Sequence, residues 1–486
     1  GEGGNLGFTQ LGRIEASRHG VLINTDAIDN SAGVDMSDHE VNIKILLNEV
    51  VASGDMTLKQ RNQLLAAMTD EVSALVLANN YKQTQALSIA ERRARERQGE
   101  YKRLIAALEA SGGLDRALEF LPSDEALAER AANGHGLTRP ELSVLISYSK
   151  IDLKVALLRS ALPDDAYLAA EMETAFPPRL AKQQRAAMRR HRLRREIIAT
   201  QLANDLVNHM GITFVQRLKE STGMGEAAIA HAYVVVRDLF RLPYWWAQIE
   251  TLDYQLPADL QLGLMEELMR LGRRATRWFL RNRRSEPLDA ARAMAHFAPH
   301  VASLGERLDE LLEGPPREQW LARYQGYVEA GVPESLARMV AGASHLYTLL
   351  AVIDAADTTG CEPLEVAAAY FAVGSALDLN WYHQQITSLA VENNWQALAR
   401  EAYRDDLEWQ QRAITVSILR MPAAADIEAR LALWLEQQTQ LVERWRGMLS
   451  ELRSASGTDY AMYAVANREL LDLAQSAALC EGRTPG

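Results

Sequence analysis

The chain has 486 residues, of which 48% are hydrophobic and 24% charged, and its formal net charge is −12. This is an ordinary globular composition with room for two or more packed units, and the acidic balance argues against nucleic-acid binding through a basic surface. Apolar runs such as Ala232-Tyr-Val-Val-Val236 are far short of a bilayer span, no signal peptide is visible, and the two isolated cysteines, Cys361 and Cys480, fit a reducing cytoplasm rather than a disulfide or zinc scaffold.

In chain order, Gly3 and Gly4 offer a backbone that approaches a ligand closely, with the Asn5 amide beside it. Val21, Leu22 and Ile23 form a short apolar run of strand type that empties into a polar loop at Asn24, Thr25 and Asp26. In open parallel sheets ligands are met outside the carboxyl ends of strands, so residues 24–32 are the expected ligand loop, closed by Gly33. Ser37 and Glu40 have capping-box spacing and predict a helix from Ser37 to about Val51. A helix start is also a carboxylate site, so Ser37 is either a cap or an anion contact. His39 falls in the first turn of that helix and is read as a packing or solvent residue.

Gly54 and Asp55 interrupt the pattern and mark the expected domain boundary. Leu58, Leu65, Met68, Val72 and Leu75 recur at helical spacing, a second long helix is expected from near Tyr81 to Leu108, and Gly112 and Gly113 stop it. Thr138, Pro140 and Glu141 form another capping box with Pro in the first turn. The cationic run 182–195 lacks aromatic interleaving and reads as a helix facing acidic neighbours or a subunit contact. Tyr244, Trp245, Trp246, Trp278 and Phe279 read as core or interface anchors. Arg273, Arg277, Arg281 and Arg284 share a helix face, read as ion-paired in preference to an effector pocket. Helices over 333–356, 363–379 and 427–452 complete the expectation, and no metal-ligand spacing, nucleophile elbow or Walker loop occurs.

Four blocks in order, Glu2-Gly-Gly-Asn5, Thr25-Asp26, Asn30-Ser-Ala-Gly-Val34 and Ser37-Asp-His-Glu40, resemble the C-terminal end of the nucleotide-binding domain in the glutamate, leucine and phenylalanine dehydrogenase superfamily. With Leu137-Thr-Arg-Pro-Glu-Leu142 in the helical tail, the chain most resembles the large bacterial NAD-specific glutamate dehydrogenases. Thr25, Ser31 and Ala32 depart from the superfamily pattern. The resemblance implies that Asn5 and Asn30 lie at the nicotinamide end of NAD and that Ser37 contacts the side-chain carboxylate of L-glutamate or 2-oxoglutarate.

It further implies a mostly α fold: residues 1–54 as the end of an α/β Rossmann-type domain and residues 55–486 as a helical C-terminal domain. The dinucleotide fingerprint and the Lys-rich catalytic segment of the superfamily are absent from these residues. The chain is therefore expected to be the C-terminal portion of a longer cytoplasmic enzyme, a homo-oligomer and by likeness a tetramer, with no catalytic residue in this chain. Two alternatives stand beside this: a sister amino-acid dehydrogenase acting on an apolar substrate, and a non-catalytic helical scaffold or regulatory module.

Overall fold

A computed structural model describes residues 7–283, 288–421, 426–455, 457 and 459–479. Among these the secondary structure is helical and no strand occurs, so the fold is all-α and the α/β expectation for residues 1–54 is not met by it. Val21, Leu22 and Ile23 lie in an irregular segment, with Val21 and Leu22 exposed and Ile23 buried. A strand satisfies its backbone through a neighbouring strand, and none of the described residues supplies one.

The chain divides into two compact units, Gly1–Val234 with Leu280–Ala290, and Val235–Phe279 with Ala291–Gly486. The first unit opens with α1 (Gln10–Arg18), α2 (Asp26–Asp29) and α3 (Ala32–Ala52). It continues with α4 (Leu58–Ala67), α5 (Thr69–Arg92), α6 (Gln98–Ala110), α7 (Asp124–Ala132) and α8 (Arg139–Leu158). Gly54, at φ +83°, turns the chain out of α3 where the helix was expected to be interrupted.

Two helix breaks differ from the expected pattern. Leu58 and Leu65 are exposed while Met68 is buried at 1%, so the run 58–75 is not one seam. Met68 closes α4, and Asp70 and Glu71 open α5 with acidic charge at its positive end. The helix expected over 81–108 breaks after Arg92 and resumes at Gln98. A Cβ at Gly136 would stand 2.6 Å from the Arg95 backbone nitrogen and 2.8 Å from the Ala94 carbonyl carbon. The turn between α5 and α6 thus packs directly on the Gly136 backbone.

Immediately beyond Gly136 the expected capping box forms. The Glu141 carboxylate accepts from the Thr138 amide (2.7 Å) and hydroxyl (2.8 Å), and pairs with Arg130 at 2.8 Å. Glu141 is fully buried, which makes these contacts obligatory. The cationic run is also ion-paired: Arg185 meets Glu173, Arg192 meets Glu49, and Arg194 and Arg195 meet Asp164.

The second unit has an aromatic core. Tyr382, Trp434, Trp445 and Tyr463 pack with Leu470 and Leu473, Trp445 Nε1 donates to the Leu377 carbonyl (2.8 Å), and the Tyr382 hydroxyl donates to Asn467 (2.9 Å). Trp246 and Trp278 are buried, as expected of anchors. Arg273 pairs with Glu401 and Arg277 with Asp405, so that face is ion-paired; Arg284 lies outside the described residues. No single helix is long and apolar enough to cross a membrane; the bent pair Glu334–Leu346 and Leu349–Thr359 passes only jointly, across a 57° bend.

Removing the Glu141 charge leaves the Arg130 guanidinium without its carboxylate. Glu141→Gln is expected to lower stability by about 3 kcal/mol, and Gly136→Ala by roughly 1–3 kcal/mol through the backbone clash. Chemical denaturation of both variants measures this; a loss near zero for Gly136→Ala would mean that the turn after Arg92 is free to move away.

Candidate functional site

The segment 24–37 is held from below by polar side chains. Asn24 is buried, and its polar groups are engaged on several sides: its carbonyl accepts from Arg13 (3.0 Å), its amide nitrogens donate to Asp29, and its Oδ1 accepts from Arg139 Nε (3.2 Å). Arg13, only 2% exposed, also pairs with Asp29 at 3.2 Å. From α5, Asn80 Nδ2 donates to the Ile28 carbonyl (3.1 Å) and the Ser31 hydroxyl (2.9 Å), while Asn79 donates to Asp35 (2.9 Å). Asn80, Gln83, Ser88 and Glu91 fall three to five residues apart, which places a polar stripe along one side of α5.

Asn30 and Ser37 both fall at the start of α3, but the capping contact is made by Asn30 and not by Ser37. The helix begins at Ala32, five residues before the expected start, and the Asn30 Oδ1 accepts from the Gly33 amide (3.1 Å). Asn30 therefore caps the helix. Ser37 lies inside it, exposed, with its hydroxyl donating back to the Gly33 carbonyl at 3.4 Å, while Glu40 pairs with Lys44. The Ser37 capping box does not form, because the helix already begins at Ala32 and the Glu40 amide lies inside it. Ala32 does not take a positive φ, so this departure from the superfamily pattern costs the backbone nothing. A Cβ on Gly33 would meet Asn30 Nδ2 at 3.3 Å, which explains glycine there. His39 is buried, and its Nδ1 lies 3.0 Å from the Ala175 carbonyl, a packing role in the second turn. Gly3, Gly4 and Asn5 lie outside the described residues.

Sequence reasoning missed Arg13, Asn80 and Lys150. The last, on α8, donates from Nζ to Gln83 Oε1 (2.6 Å). Burial pushes its pKa down to about 7, opposed by the charge of Asp35. A Lys in an apolar helix pattern and an Asn–Asn pair on α5 were the available signals. Around the segment, Phe8, Leu11, Val21, Leu22, Val34 and Met36 are exposed.

The family described as "Glutamate dehydrogenase, C-terminal" matches residues 134–472. The chain belongs to this glutamate dehydrogenase family. A second family, "Bacterial NAD-glutamate dehydrogenase, catalytic domain", matches residues 1–90, which include the candidate segment and most of α5. Among curated relatives, an "NAD-specific glutamate dehydrogenase" of Pseudomonas aeruginosa is 74% identical over 98% of this chain. Proteins of the same name from Halomonas elongata and Mycobacterium tuberculosis are 52% and 37% identical, over 98% and 97% of it. The chain spans 29% of the length of each of these relatives.

Because Lys150 is neutral in the folded state above pH about 7 and ordinarily titrates at 10.5, the unfolded chain holds more protons between those values, and stability rises with pH across that window. Lys150→Met is expected to remove this slope, so that its stability relative to the unaltered chain is greatest near pH 7 and declines toward pH 10. Urea unfolding of both proteins at several pH values reads the difference; parallel profiles would place the Lys150 ammonium in water.

Proposed function

We propose that the chain is part of an NAD-dependent glutamate dehydrogenase that converts L-glutamate, NAD and water to 2-oxoglutarate, ammonia and NADH. In this reading residues 1–54 complete a Rossmann-type NAD-binding domain and residues 55–486 form the helical C-terminal domain. The observation that carries it is the match of a catalytic-domain family over 1–90 followed by a C-terminal family over 134–472, in the order of the motifs in the chain. The exposed apolar residues around Val21 and Leu22 support a face covered by further polypeptide of such a domain.

The residues present fit the nicotinamide end of the cofactor. Asn30 is half-buried, and its Oδ1 is committed to the Gly33 amide, which orients its Nδ2 as a donor toward the nicotinamide carboxamide. Asn5 is assigned the same task. Ser37 is solvent-accessible one turn into α3 and donates its hydroxyl to the far carboxylate of the substrate. Holding ring and carboxylate from one helix start orients the substrate Cα and reduces the orientational entropy of the reacting pair. NAD supplies the hydride acceptor. The acid and base groups are assigned to polypeptide outside this chain. The assembled protein is read as a cytoplasmic homo-oligomer, a tetramer by likeness, with part of 177–284 near a subunit contact.

The chain by itself is expected to form no NADH from glutamate and NAD, whereas a longer protein containing it does; turnover by the purified chain overturns the assignment of catalysis elsewhere. Since Ser37 caps nothing, Ser37→Ala in the active enzyme is expected to leave the melting temperature unchanged or raised while weakening glutamate binding by about 1–3 kcal/mol. An unchanged glutamate KM would remove Ser37 from the substrate site.

A further inference from the structure

Arg139 stands where a helix disfavours it. It is the first residue of α8, beside the free amides and the positive end of the helix dipole, and its side chain is 8% exposed. Local helix energetics give no reason for a buried cation there; its partners do. Nε donates to Asn24 Oδ1 (3.2 Å), and Nη1 donates to the Ser88 hydroxyl (3.1 Å) and to Glu91 (2.9 Å). One guanidinium therefore joins α8, α5 and the segment that leads to Asn30.

The chain of contacts continues without a gap. Asn24 holds Asp29 through its side-chain nitrogen (2.9 Å) and its backbone amide (3.3 Å), Arg13 closes the other side of Asp29 (3.2 Å), and Asp29 is bonded to Asn30 along the chain. From α1, Gln10 Nε2 reaches the Pro140 carbonyl (3.3 Å), so both sides of the segment are referenced to the start of α8. A lysine reaches one of these acceptors as a point charge; only the planar fork spans a side-chain amide, a hydroxyl and a carboxylate together.

We propose that Arg139 is a positioning residue for the cofactor loop: it touches no ligand and sets the position of Asn30 through Asn24 and Asp29. This rests on Asn30 being the nicotinamide contact proposed above. It also gives the C-terminal family a task in the reaction, because the residue that registers the loop belongs to the helical part of the chain and not to the stretch that carries the loop.

Two measurements test it, one of which does not depend on the proposed reaction. In the chain itself, Arg139→Lys and Arg139→Met are compared with the unaltered protein by hydrogen exchange; amides in 24–33 are expected to exchange faster while those of the second unit keep their rates. In the longer active enzyme, kcat/KM for NAD is expected to fall between about 10- and 100-fold, the range of a misplaced reacting group, with the dissociation constant for 2-oxoglutarate changed less than the KM for NAD. Should Arg139→Met fail to fold, Arg139→Lys, which keeps the charge, carries both arms. Unchanged exchange in 24–33 overturns the proposal, as does an equal loss of NAD and 2-oxoglutarate affinity. If the unaltered longer protein reduces no NAD with glutamate, the proposed function fails, and the exchange result alone decides whether Arg139 sets the loop.

Discussion

One fully buried carboxylate organises the first unit. Glu141 cannot be hydrated, so the Thr138 amide, the Thr138 hydroxyl and Arg130 must all be in place around it. That fixes where α8 begins, and with it the side chain of Arg139, two residues before Glu141 in the same first turn. The close approach of Gly136 to the Ala94 and Arg95 backbone fixes where α5 ends. The angle between α5 and α8 is thus set by a charge that has one way to be satisfied and a glycine that admits no side chain. Segment 24–37 is laid on the resulting platform.

The second unit solves a similar problem with a different balance. Its core is aromatic and buried around Trp445 and Tyr382, yet helix Ala258–Asn282 meets helix Asn394–Leu419 through Arg273, Arg277, Glu401 and Asp405. Nearby, burial raises the Glu408 carboxyl to about 7, reinforced by Asp405 and opposed by the Tyr347 hydroxyl bonded to it. Burial beside Arg274 takes His345 down to about 4. Such groups add little net stability compared with apolar contacts of equal volume. Their effect is to select one register of two long helices, since a slip of one residue leaves several charges unmatched.

Local signals were legible in the sequence and tertiary ones were not. The Thr138 and Glu141 box, the glycine exit of α3 at Gly54 and the ion-paired fate of Arg185, Arg192, Arg273 and Arg277 follow from spacing and charge alone. The break after Arg92 did not follow, because its cause is Gly136, more than forty residues on by sequence number. The strand at Val21 did not form because an apolar run becomes a strand only beside another strand. That a polar side chain caps the start of α3 was legible, but which one was not. Both spacings satisfy a capping rule, and the choice between them lies in Asn80 and Asp29, which hold the segment so that Asn30 reaches the Gly33 amide first.

With the cap on Asn30, the two side chains are held differently. An amide side chain whose oxygen is bound to its own helix cannot flip, so its nitrogen presents a donor with fixed identity; a free Asn presents donor and acceptor interchangeably. Ser37 does not cap, and its hydroxyl donates to the Gly33 carbonyl at 3.4 Å, a long bond by the usual distance criterion. The start of α3 therefore carries a rigid donor at Asn30 and, about two turns on, a loosely held hydroxyl at Ser37.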